Sequence, residues 1–469
     1  MNRHEELLWV VSLAALGAAC SKETPPAAPV ATGSAAGGGG AVAFAPYTPK
    51  GCDYSVAVPA GVDAMMGDGT VGGPPLVDNV HASFAGKATA SFAVSWRTET
   101  TTTATELLFG TQEQAVAAAE GPGEGVRAQT GHTMLYSTAL DGGVQTRVHE
   151  AHACGLVPAT RYFYKAGAPA AWGKIYDVTT SPEIGTKQPW RLAAMGDTRD
   201  GPDVFARLQE MVLAAGTGVQ IFTGDAVSVG LAQSGWNALL SAPGKDKNVQ
   251  EILARIPLMT VNGNHDNLAL NYLAQLALPQ ELSPGETDPE QWYSFDYANA
   301  HIVVLDDSGP ADSILQGEER AFLEKDLAAV DRQKTPWLIA AHHRPMYSCS
   351  EHGSNLDLRS AWQPLYDKFQ VDLVFNGHDH NYERSKPIRG DGVVAEQGPE
   401  GQPVAQSGTV YVVAGAAGAP LYESGKDCKH TYKNESVYHY VALEIADKAM
   451  KYRAYRLDST LLDSFDYQK

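Results

Sequence analysis

The sequence lacks two features that would assign it to large functional classes. It has 469 residues, and no internal apolar run reaches the ~18 residues that a membrane-spanning helix requires. It also lacks an excess of positive charge, because 35 Lys and Arg stand against 54 Asp and Glu, for a formal net charge of −19. Affinity for DNA or RNA comes largely from clustered Lys and Arg. We therefore expect no internal membrane span and no nucleic-acid partner, and the length allows two domains with separate cores.

Cysteine is scarce, with five residues in the chain. Setting Cys20 aside leaves an even number, which is compatible with two disulfide bonds in an exported protein. Among the three possible connectivities we favour Cys52–Cys154 with Cys349–Cys428, because this choice keeps each bond near one domain. The alternative is that all four are unpaired thiols.

The N-terminus differs in composition from the rest of the chain. The apolar stretch LLWVVSLAALGAAC has the length of a signal peptide, and Cys20 lies where a bacterial lipoprotein is cleaved and acylated. We predict a signal peptide with a lipobox-like cysteine over residues 1–20, hence an exported protein of the bacterial periplasm or cell surface, attached to the membrane through lipidated Cys20. Ordinary cleavage or a buried helix are the alternatives. Residues 21–75 are predicted to be a flexible linker and a poorly defined segment, since their first half is rich in Pro, Ala, Gly and Ser.

Residues 76–182 show the period-two alternation of β-strands. The segments SFAVSWR, TELLFG and RYFYKA contain Thr and aromatic residues, with turn residues between them. This pattern predicts an all-β sandwich. We expect Trp96 and Tyr164 in its core or on a sheet face, and a carbohydrate-binding platform is the alternative. His149 and His152 have no ligand-rich neighbours, so we expect surface or packing histidines.

Residues 188–469 alternate strands with helical stretches, which predicts a layered α/β domain. Five short apolar runs in this domain each end in residues that bind metals in proteins. The motifs are RLAAM-GD (Asp197), VQIFT-GD (Asp225), PLMTV-NGNHD (Asn264 and His265), WLIAA-HHRPMY (His342 and His343) and VDLVF-NGHDH (His378 and His380). Side chains just past the carboxyl ends of strands in such sheets converge on one crevice. A set of Asp, Asn and His gathered there suits two divalent or trivalent cations.

These motifs resemble the signature of the calcineurin-like metallophosphoesterases, most closely the purple acid phosphatase branch. That branch has GD, GD, GNH, H-x-P and GHxH blocks in this order and continues the last one as GHxHxYER, matched here by GHDHNYER. The segment ASFAVSWRTETTTTATELLFGT resembles the fibronectin type III-like domain that precedes the catalytic domain in this branch. The resemblance implies a two-domain α+β/α/β chain. An N-terminal all-β sandwich would be followed by a four-layer αββα metallophosphoesterase domain.

The resemblance also implies a dinuclear metal centre. Its six ligands would be Asp197, Asp225, Asn264, His343, His378 and His380. Asp225 is the candidate bridge, since two close cations need an anion between them, and Asp197 and His380 would complete the first metal site. Asn264, His343 and His378 would complete the second. The ligand role goes to His343 because Arg-Pro follows it, and His342 is expected to support the site from outside the ligand set.

Three further residues are expected to contact the substrate. The resemblance assigns to His265 a hydrogen bond to the phosphate and protonation of the leaving group. His352 lies in SCSEHGSN, where the branch often places another substrate-contacting histidine, and a plain surface histidine is the alternative. The guanidinium of Arg199 would grip a phosphate oxygen. A salt bridge from Arg199 to Asp200 or Asp203 is the alternative.

Two positions depart from the family pattern near the first metal. Purple acid phosphatases carry a tyrosine ligand three residues after the bridging aspartate, where this chain has Ser228. Other metallophosphoesterases carry a histidine two residues after the first aspartate, where this chain has Arg199. We therefore expect a divalent pair of Fe, Zn or Mn in place of ferric iron. In the YER segment, Glu383 and Arg384 are expected to form a structural ion pair.

The predicted function is hydrolysis of small phosphate monoesters outside the cytoplasm, by attack of a metal-bound hydroxide. Two divalent cations bring four positive charges and two aspartates return two, so the remaining charge matches a phosphate dianion. One alternative is a phosphodiesterase or nucleotidase on the same fold. Another is a surface binding protein whose metal site has decayed.

Overall fold

The structure is a computed structural model. It describes residues 44–138, 140, 142–280, 290–308, 317–390, 392–404, 406–423, 425 and 428–469. The predicted signal peptide, Cys20 and the first part of the predicted linker lie outside this range. No helix within it has the length and apolar character of a membrane span. All described residues belong to one compact unit.

The N-terminal part of the described chain is built from antiparallel strands. The strands are β1 (Asp63–Met66), β2 (Asp78–Ser83), β3 (Ser91–Thr98), β4 (Glu106–Gly110), β5 (Arg127–Thr130), β6 (His132–Ser137), β7 (Gln145–Cys154), β8 (Arg161–Gly167) and β9 (Tyr176–Thr179). One sheet has the order β1-β6-β7-β3-β2, and the other has the order β5-β4-β8-β9. A short helix, α1 (Glu113–Ala118), follows β4. The predicted β-rich N-terminal domain is confirmed.

Aromatic residues fill the core of this domain. Trp96 and Tyr164 are almost completely buried. Trp96 stacks on His149, with ring centroids 5.2 Å apart and planes 8° from parallel. His152 is buried as well, and its Nε2 lies 2.7 Å from Glu150. The histidines are therefore packing residues, and rings buried this deeply leave no carbohydrate platform.

The segment before β2 is more ordered than its composition predicted. Strand β1 pairs antiparallel with β6, and the hydroxyl of Tyr54 lies 2.9 Å from Nδ1 of His152. A disulfide bond joins Cys52 to Cys154, and the second joins Cys349 to Cys428. The favoured disulfide pairing is confirmed. The predicted flexible linker does not extend over residues 44–66, because these contacts fasten them to the sheet.

The C-terminal part of the chain alternates helices and strands. The helices are α2 (Pro202–Ala214), α3 (Gln233–Leu240), α4 (Val249–Leu253), α5 (Leu270–Gln275), α6 (Glu318–Ala329) and α7 (Leu356–Phe369). The strands are β10 (Trp190–Met195), β11 (Val219–Phe222), β12 (Leu258–Thr260), β13 (Tyr293–Tyr297), β14 (Ala300–Val304), β15 (Trp337–Ala341), β16 (Leu373–Asn376), β17 (Tyr382–Ser385), β18 (Ile388–Arg389), β19 (Val393–Val394), β20 (Val410–Ala414), β21 (Thr431–Glu435), β22 (His439–Ala446), β23 (Ala449–Arg456) and β24 (Leu461–Gln468).

Two large sheets pack against each other in this domain. Their orders are β12-β11-β10-β22-β23-β24 and β13-β14-β15-β16-β20-β17-β21. In the second sheet, Ile302 and Ile339 join the core shared with the first sheet. Their neighbours Val303 and Leu338 pack instead with residues of α6 and α7. Successive residues of a strand point to opposite faces, so this sheet is buried on both sides, as the predicted metallophosphoesterase fold requires.

The five motif-bearing strands are divided between the two sheets, which agrees with the predicted αββα layers. Strands β10, β11 and β12 run parallel in the first sheet, whereas β15 and β16 belong to the second. The C-terminal strands β22, β23 and β24 extend the first sheet, because β22 pairs antiparallel with β10, with Ala193 opposite Ala442. The two motif-bearing sheets present their carboxyl ends at one edge, where Gly196 donates to the carbonyl of Ala414 at 2.9 Å.

The predicted ion pair between Glu383 and Arg384 is wrong. Arg384 donates to Asp463, with Nε 2.6 Å from the carboxylate. Glu383 accepts hydrogen bonds from Thr431 and from the backbone of Cys349. Both residues lie on β17, where adjacent side chains point to opposite faces of the sheet and cannot meet.

Candidate metal centre

The two aspartates of the GD motifs lie directly after parallel strands of the first sheet. Asp197 follows β10 and Asp225 follows β11, and both are almost completely buried. The backbone N–H of Asp197 donates to the carbonyl of Gly224 at 2.9 Å, so the two motif loops are joined. Neither carboxylate lies on a surface where water would solvate its charge, which makes a bound cation the natural partner.

The glycines of the later motifs allow the close approach of these loops. A Cβ atom at Gly377 would lie 2.2 Å from Oδ2 of Asp197, and one at Gly263 would lie 2.3 Å from Oδ1 of Asp225. Any side chain at these positions would displace an aspartate. The glycines of GNH and GHDH are therefore required by the packing of the site.

Asp197, Asp225 and His380 form the first ligand group. One ligand atom from each lies within 4.8 Å of the others, and all three residues are buried. Oδ1 of Asp197 accepts from the backbone of His378 at 2.9 Å, while its Oδ2 is buried without a hydrogen-bond partner among the described residues. Burial raises the pKa of Asp197 well above its ordinary value. An unsatisfied, buried carboxylate oxygen beside a second carboxylate fits a metal ligand.

Hydrogen bonds fix which nitrogen of each histidine faces the site. Nδ1 of His380 donates to the carbonyl of Pro420 at 2.8 Å, and Nδ1 of His343 donates to that of Thr223 at 2.8 Å. Because a carbonyl only accepts, the Nδ1 atom carries the proton in each ring. The Nε2 lone pairs are then free to bind a cation, which is the arrangement that metal-binding histidines usually show.

The second group of predicted ligands contains Asp225, Asn264, His343 and His378. Nε2 of His343 lies 3.1 Å from Oδ1 of Asn264 and 3.3 Å from Oδ1 of Asp225. The ring centroid of His378 lies 5.1 Å from that of His343. Asp225 thus belongs to both groups and lies between them. The structure brings all six predicted metal ligands together.

The charges within the site respond strongly to one another. Burial opposes a charge on His343, yet the carboxylate of Asp225 outweighs it and raises the pKa of His343 to about 10. Burial would raise the pKa of Asp225, but the attraction of His343 outweighs that effect and the pKa is lowered. Burial, followed by repulsion from His343, lowers the pKa of His378 to about 2. Asp225 thus favours positive charge at this point, which a cation bound to Nε2 of His343 would supply in place of the second ring proton.

Three of the ligand residues adopt a left-handed backbone conformation. The φ angles are 61° at Asp197, 53° at Asp225 and 70° at His378. Such conformations are unfavourable for residues other than glycine, by about 1–3 kcal/mol each, and they concentrate at functional sites. At each of these residues the backbone turns sharply after its strand, so that the side chain lies over the edge of the sheet.

His265 lies beside the bridging aspartate with its ring partly open to solvent. Its backbone N–H donates to Oδ1 of Asp225 at 2.8 Å, and its Nδ1 donates to the carbonyl of Ser228 at 2.9 Å. Nε2 lies 3.9 Å from Oδ2 of Asp225, and the side chain is 32% exposed. This placement suits a group that meets a substrate arriving from solvent.

Arg199 and His352 each lie near a histidine of the GHDH motif. Arg199 forms no ion pair with Asp200 or Asp203 among the described residues, and its Nε is buried without a hydrogen-bond partner there. After burial, its positive charge is the largest influence lowering the pKa of His380, to about 4. His352 is exposed. Its ring stacks on that of His378 with centroids 4.2 Å apart, so it lies next to a predicted ligand.

Two protein families match the parts of the chain whose geometry is given above. Residues 191–382 match the calcineurin-like phosphoesterase family, and residues 77–180 match the purple acid phosphatase N-terminal domain. The chain carries a calcineurin-like phosphoesterase domain. With its N-terminal domain, it fits the purple acid phosphatase-like branch of these enzymes.

Relatives of known name agree with this assignment. Purple acid phosphatase 21 of Arabidopsis thaliana is 30% identical over 253 residues, covering 52% of this chain and 54% of the relative. Acid phosphatase type 7 of Homo sapiens is 28% identical over 380 residues, covering 75% and 80%. The structure of a purple acid phosphatase from yellow lupin seeds superposes with a TM-score of 0.69 at 21% identity, covering 84% of this chain and 74% of the other, which supports the fold. The chain spans between half and two thirds of the length of the first curated relatives that it matches.

Two residues outside the predicted set also shape this phosphoesterase site. Asp266 is buried, and its carboxylate accepts from the backbone of Ala226 at 2.9 Å and of Gly263 at 3.1 Å, so it ties two ligand loops together. Its position in the NGNHD motif was the sequence feature that could have identified it. Tyr422 stacks on the ring of His380 at 4.1 Å. Nothing in its sequence context indicated a place at the metal site.

His342 and Ser228 lie near the site but outside the predicted ligand set. His342 points away from the ligand groups, with Nδ1 3.3 Å from Asp307 and a hydrogen bond between Asn376 and its ring. The hydroxyl of Ser228 is buried without a hydrogen-bond partner among the described residues. A serine there offers a short, neutral group where a phenolate would be.

Proposed function

We propose that this protein is a metal-dependent phosphatase that hydrolyses phosphate monoesters at a dinuclear centre. The observation that carries the proposal is the position of Asp225, which belongs to two ligand groups at once. One group adds Asp197 and His380, whose ligand atoms cluster within 4.8 Å. On its other side, Asp225 lies 3.3 Å from His343, a residue of the other sheet. Two cations bound at such a pair of sites would acidify a water molecule and neutralise charge on phosphate.

The chain itself supplies the groups that orient the ester. His265 is held by Ser228 through Nδ1, so its partly exposed Nε2 is the atom that would hydrogen-bond the phosphate and deliver a proton to the leaving oxygen. Among the described residues, Nε of Arg199 is buried without a hydrogen-bond partner, and this side chain would bind a phosphate oxygen. His352, stacked on His378, would also contact the ester.

The charge balance favours a monoester. Asp197 and Asp225 contribute two negative charges, and Asn264 offers a neutral carbonyl oxygen in place of a third carboxylate. With two divalent cations the site keeps a net positive charge, which a phosphate dianion matches better than the monoanion of a diester. The preference for divalent ions follows from Ser228, which provides no phenolate to stabilise ferric iron.

Metal analysis combined with a substrate panel tests the proposal. Purified protein should contain two ions per chain and should hydrolyse an aryl phosphate faster than a bis-aryl phosphate. A faster reaction with the bis-aryl ester would instead establish a phosphodiesterase on the same fold. Protein that holds one ion or none, and turns over neither ester, would establish a binding protein with a decayed site.

We also propose that the protein is exported and anchored by lipid at Cys20. The support is the apolar stretch that ends at this cysteine and the polar, small-residue segment that follows it. The Cys20→Ala variant should move from the membrane fraction to the soluble fraction in a bacterial host that processes lipoproteins. An unchanged fractionation, or a mature N-terminus mapped to another residue, would refute the anchor.

A further inference from the structure

The segment that follows β20, residues 415–422, wraps around the first ligand group. The backbone N–H of Ala417 donates to Gly196 at 2.8 Å, and that of Ala419 donates to the carbonyl of Asp197 at 2.8 Å. The carbonyl of Pro420 accepts from Nδ1 of His380 at 2.8 Å. One short stretch of chain therefore holds the backbone of one ligand and the ring of another.

Tyr422 completes this contact with its side chain. Its backbone N–H donates to the carbonyl of His380 at 3.0 Å, and its ring lies on the imidazole with centroids 4.1 Å apart and planes 17° from parallel. On another side the ring meets His352 edge-on, at 5.5 Å and 73°. The tyrosine is half-buried, so it separates the imidazole of His380 from solvent on that face.

An imidazole with a single hydrogen bond still has freedom to tilt. The bond from Nδ1 of His380 to Pro420 fixes the proton on the ring, but it leaves rotation about the axis of that bond. A parallel aromatic ring at van der Waals distance removes this rotation and so fixes the direction of the Nε2 lone pair. This matters most at the first site, where Ser228 and Arg199 occupy positions at which relatives carry an additional ligand.

We propose that Tyr422 is a positioning residue of the first metal site, where its ring holds the imidazole of His380 in the orientation that binds the ion. This inference rests on the proposed dinuclear function. The aromatic ring, and not the hydroxyl, carries the effect. The tyrosine thereby gives the first site a rigidity that the missing ligand would otherwise supply.

Two substitutions separate the ring from the hydroxyl. Tyr422→Leu removes the stacked ring, whereas Tyr422→Phe keeps the ring and removes the hydroxyl. The matched control is Tyr455→Leu, which removes a ring that stacks on Tyr440 at 5.7 Å on β23. The measurement is titration of metal-stripped, full-length protein with Zn²⁺ or Mn²⁺ by calorimetry, together with metal content by mass spectrometry.

We expect Tyr422→Leu to weaken binding of one of the two ions by about 10–100-fold, as loss of a group that orients a metal ligand does. Tyr422→Phe and Tyr455→Leu should bind both ions as the wild type does. Equal affinity in Tyr422→Leu and wild type would overturn the inference. A Tyr422→Phe variant that binds the ion as weakly as Tyr422→Leu would also overturn it, since the hydroxyl would then carry the effect. Wild-type protein that binds fewer than two ions would refute the dinuclear site itself, and with it this inference.

Discussion

Replacing Asp225 by asparagine tests the centre of the proposed site. The change keeps the shape of the side chain and an oxygen that can still accept from the backbone of His265, but it removes the negative charge. Opposite unit charges about 3–4 Å apart attract by on the order of 5 kcal/mol at an effective dielectric constant near 20, so the substitution removes an attraction of that order for a cation at the site. Because 1.36 kcal/mol corresponds to a tenfold change in rate, we expect kcat/KM to fall by ~10³-fold or more.

The assay combines turnover of an aryl phosphate with metal content. Asp225→Asn should lose both activity and at least one ion, since Asp225 is the proposed bridge between the two ions. Asp458→Asn is the matched control, because Asp458 is exposed and its carboxylate accepts hydrogen bonds from Thr460 in its own turn. It should retain both ions and the wild-type rate. An Asp225→Asn variant with full metal and full rate would show that the site has been assigned to the wrong residues.

The remaining predictions address the acid, the metals and the pH dependence of stability. His265→Ala should keep metal content near wild type but slow turnover by ~10²-fold or more, with the larger loss for alkyl than for aryl phosphates, whose leaving groups need no proton. Because Ser228 supplies no phenolate, the metal-loaded protein should show no visible charge-transfer band. Its rate of hydrolysis should rise from about pH 5 toward pH 8. A purple protein with an acid pH optimum would contradict this prediction. Burial opposes a charge on His301, yet Asp296 and Asp326 raise its pKa to about 9. The folded pKa lies above the unfolded value near 6.5, so this charge contributes stability below about pH 6.5 that is lost as the pH rises through 9. Urea unfolding should therefore show His301→Gln less stable than wild type by on the order of 3 kcal/mol near pH 6, and the difference should vanish near pH 9.5; a constant difference would refute the titration.

The sequence predicted which side chains the structure brings together, because each motif is local. The GD, GNH and GHDH motifs each place a buried strand, a glycine and a candidate metal-binding residue within a few positions. The left-handed backbone turn at Asp197 or His378 is formed within those same positions. The glycine before each of these residues permits the close packing seen at Gly377. Local signals of this kind are independent of how the sheets are finally arranged.

The pairing of strands and of side chains that lie far apart in the sequence was harder to predict. Nothing within the motifs indicates that β12 and β15 belong to different sheets, because both are short, apolar and buried on two faces. The partner of Arg384 is Asp463, which lies 79 positions along the chain. No periodic pattern in a sequence indicates an ion pair over that distance. Glu383 is adjacent to Arg384 in the sequence, but the side chains of adjacent strand residues point to opposite faces of the sheet and cannot pair.

The decayed-site alternative rested on the missing tyrosine and histidine ligands, and the structure weakens that support. A chain that no longer bound metal would gain by relaxing the left-handed residues Asp197, Asp225 and His378, each unfavourable by about 1–3 kcal/mol. It would also gain by pairing the buried Oδ2 of Asp197 with a donor. Both costs persist here, and the segment through Tyr422 adds contacts that keep His380 turned toward the carboxylates. Unfavourable geometry that the surrounding contacts maintain supports the proposed cation at the site, and it favours a change of metal over a loss of function as the reason for the missing ligand.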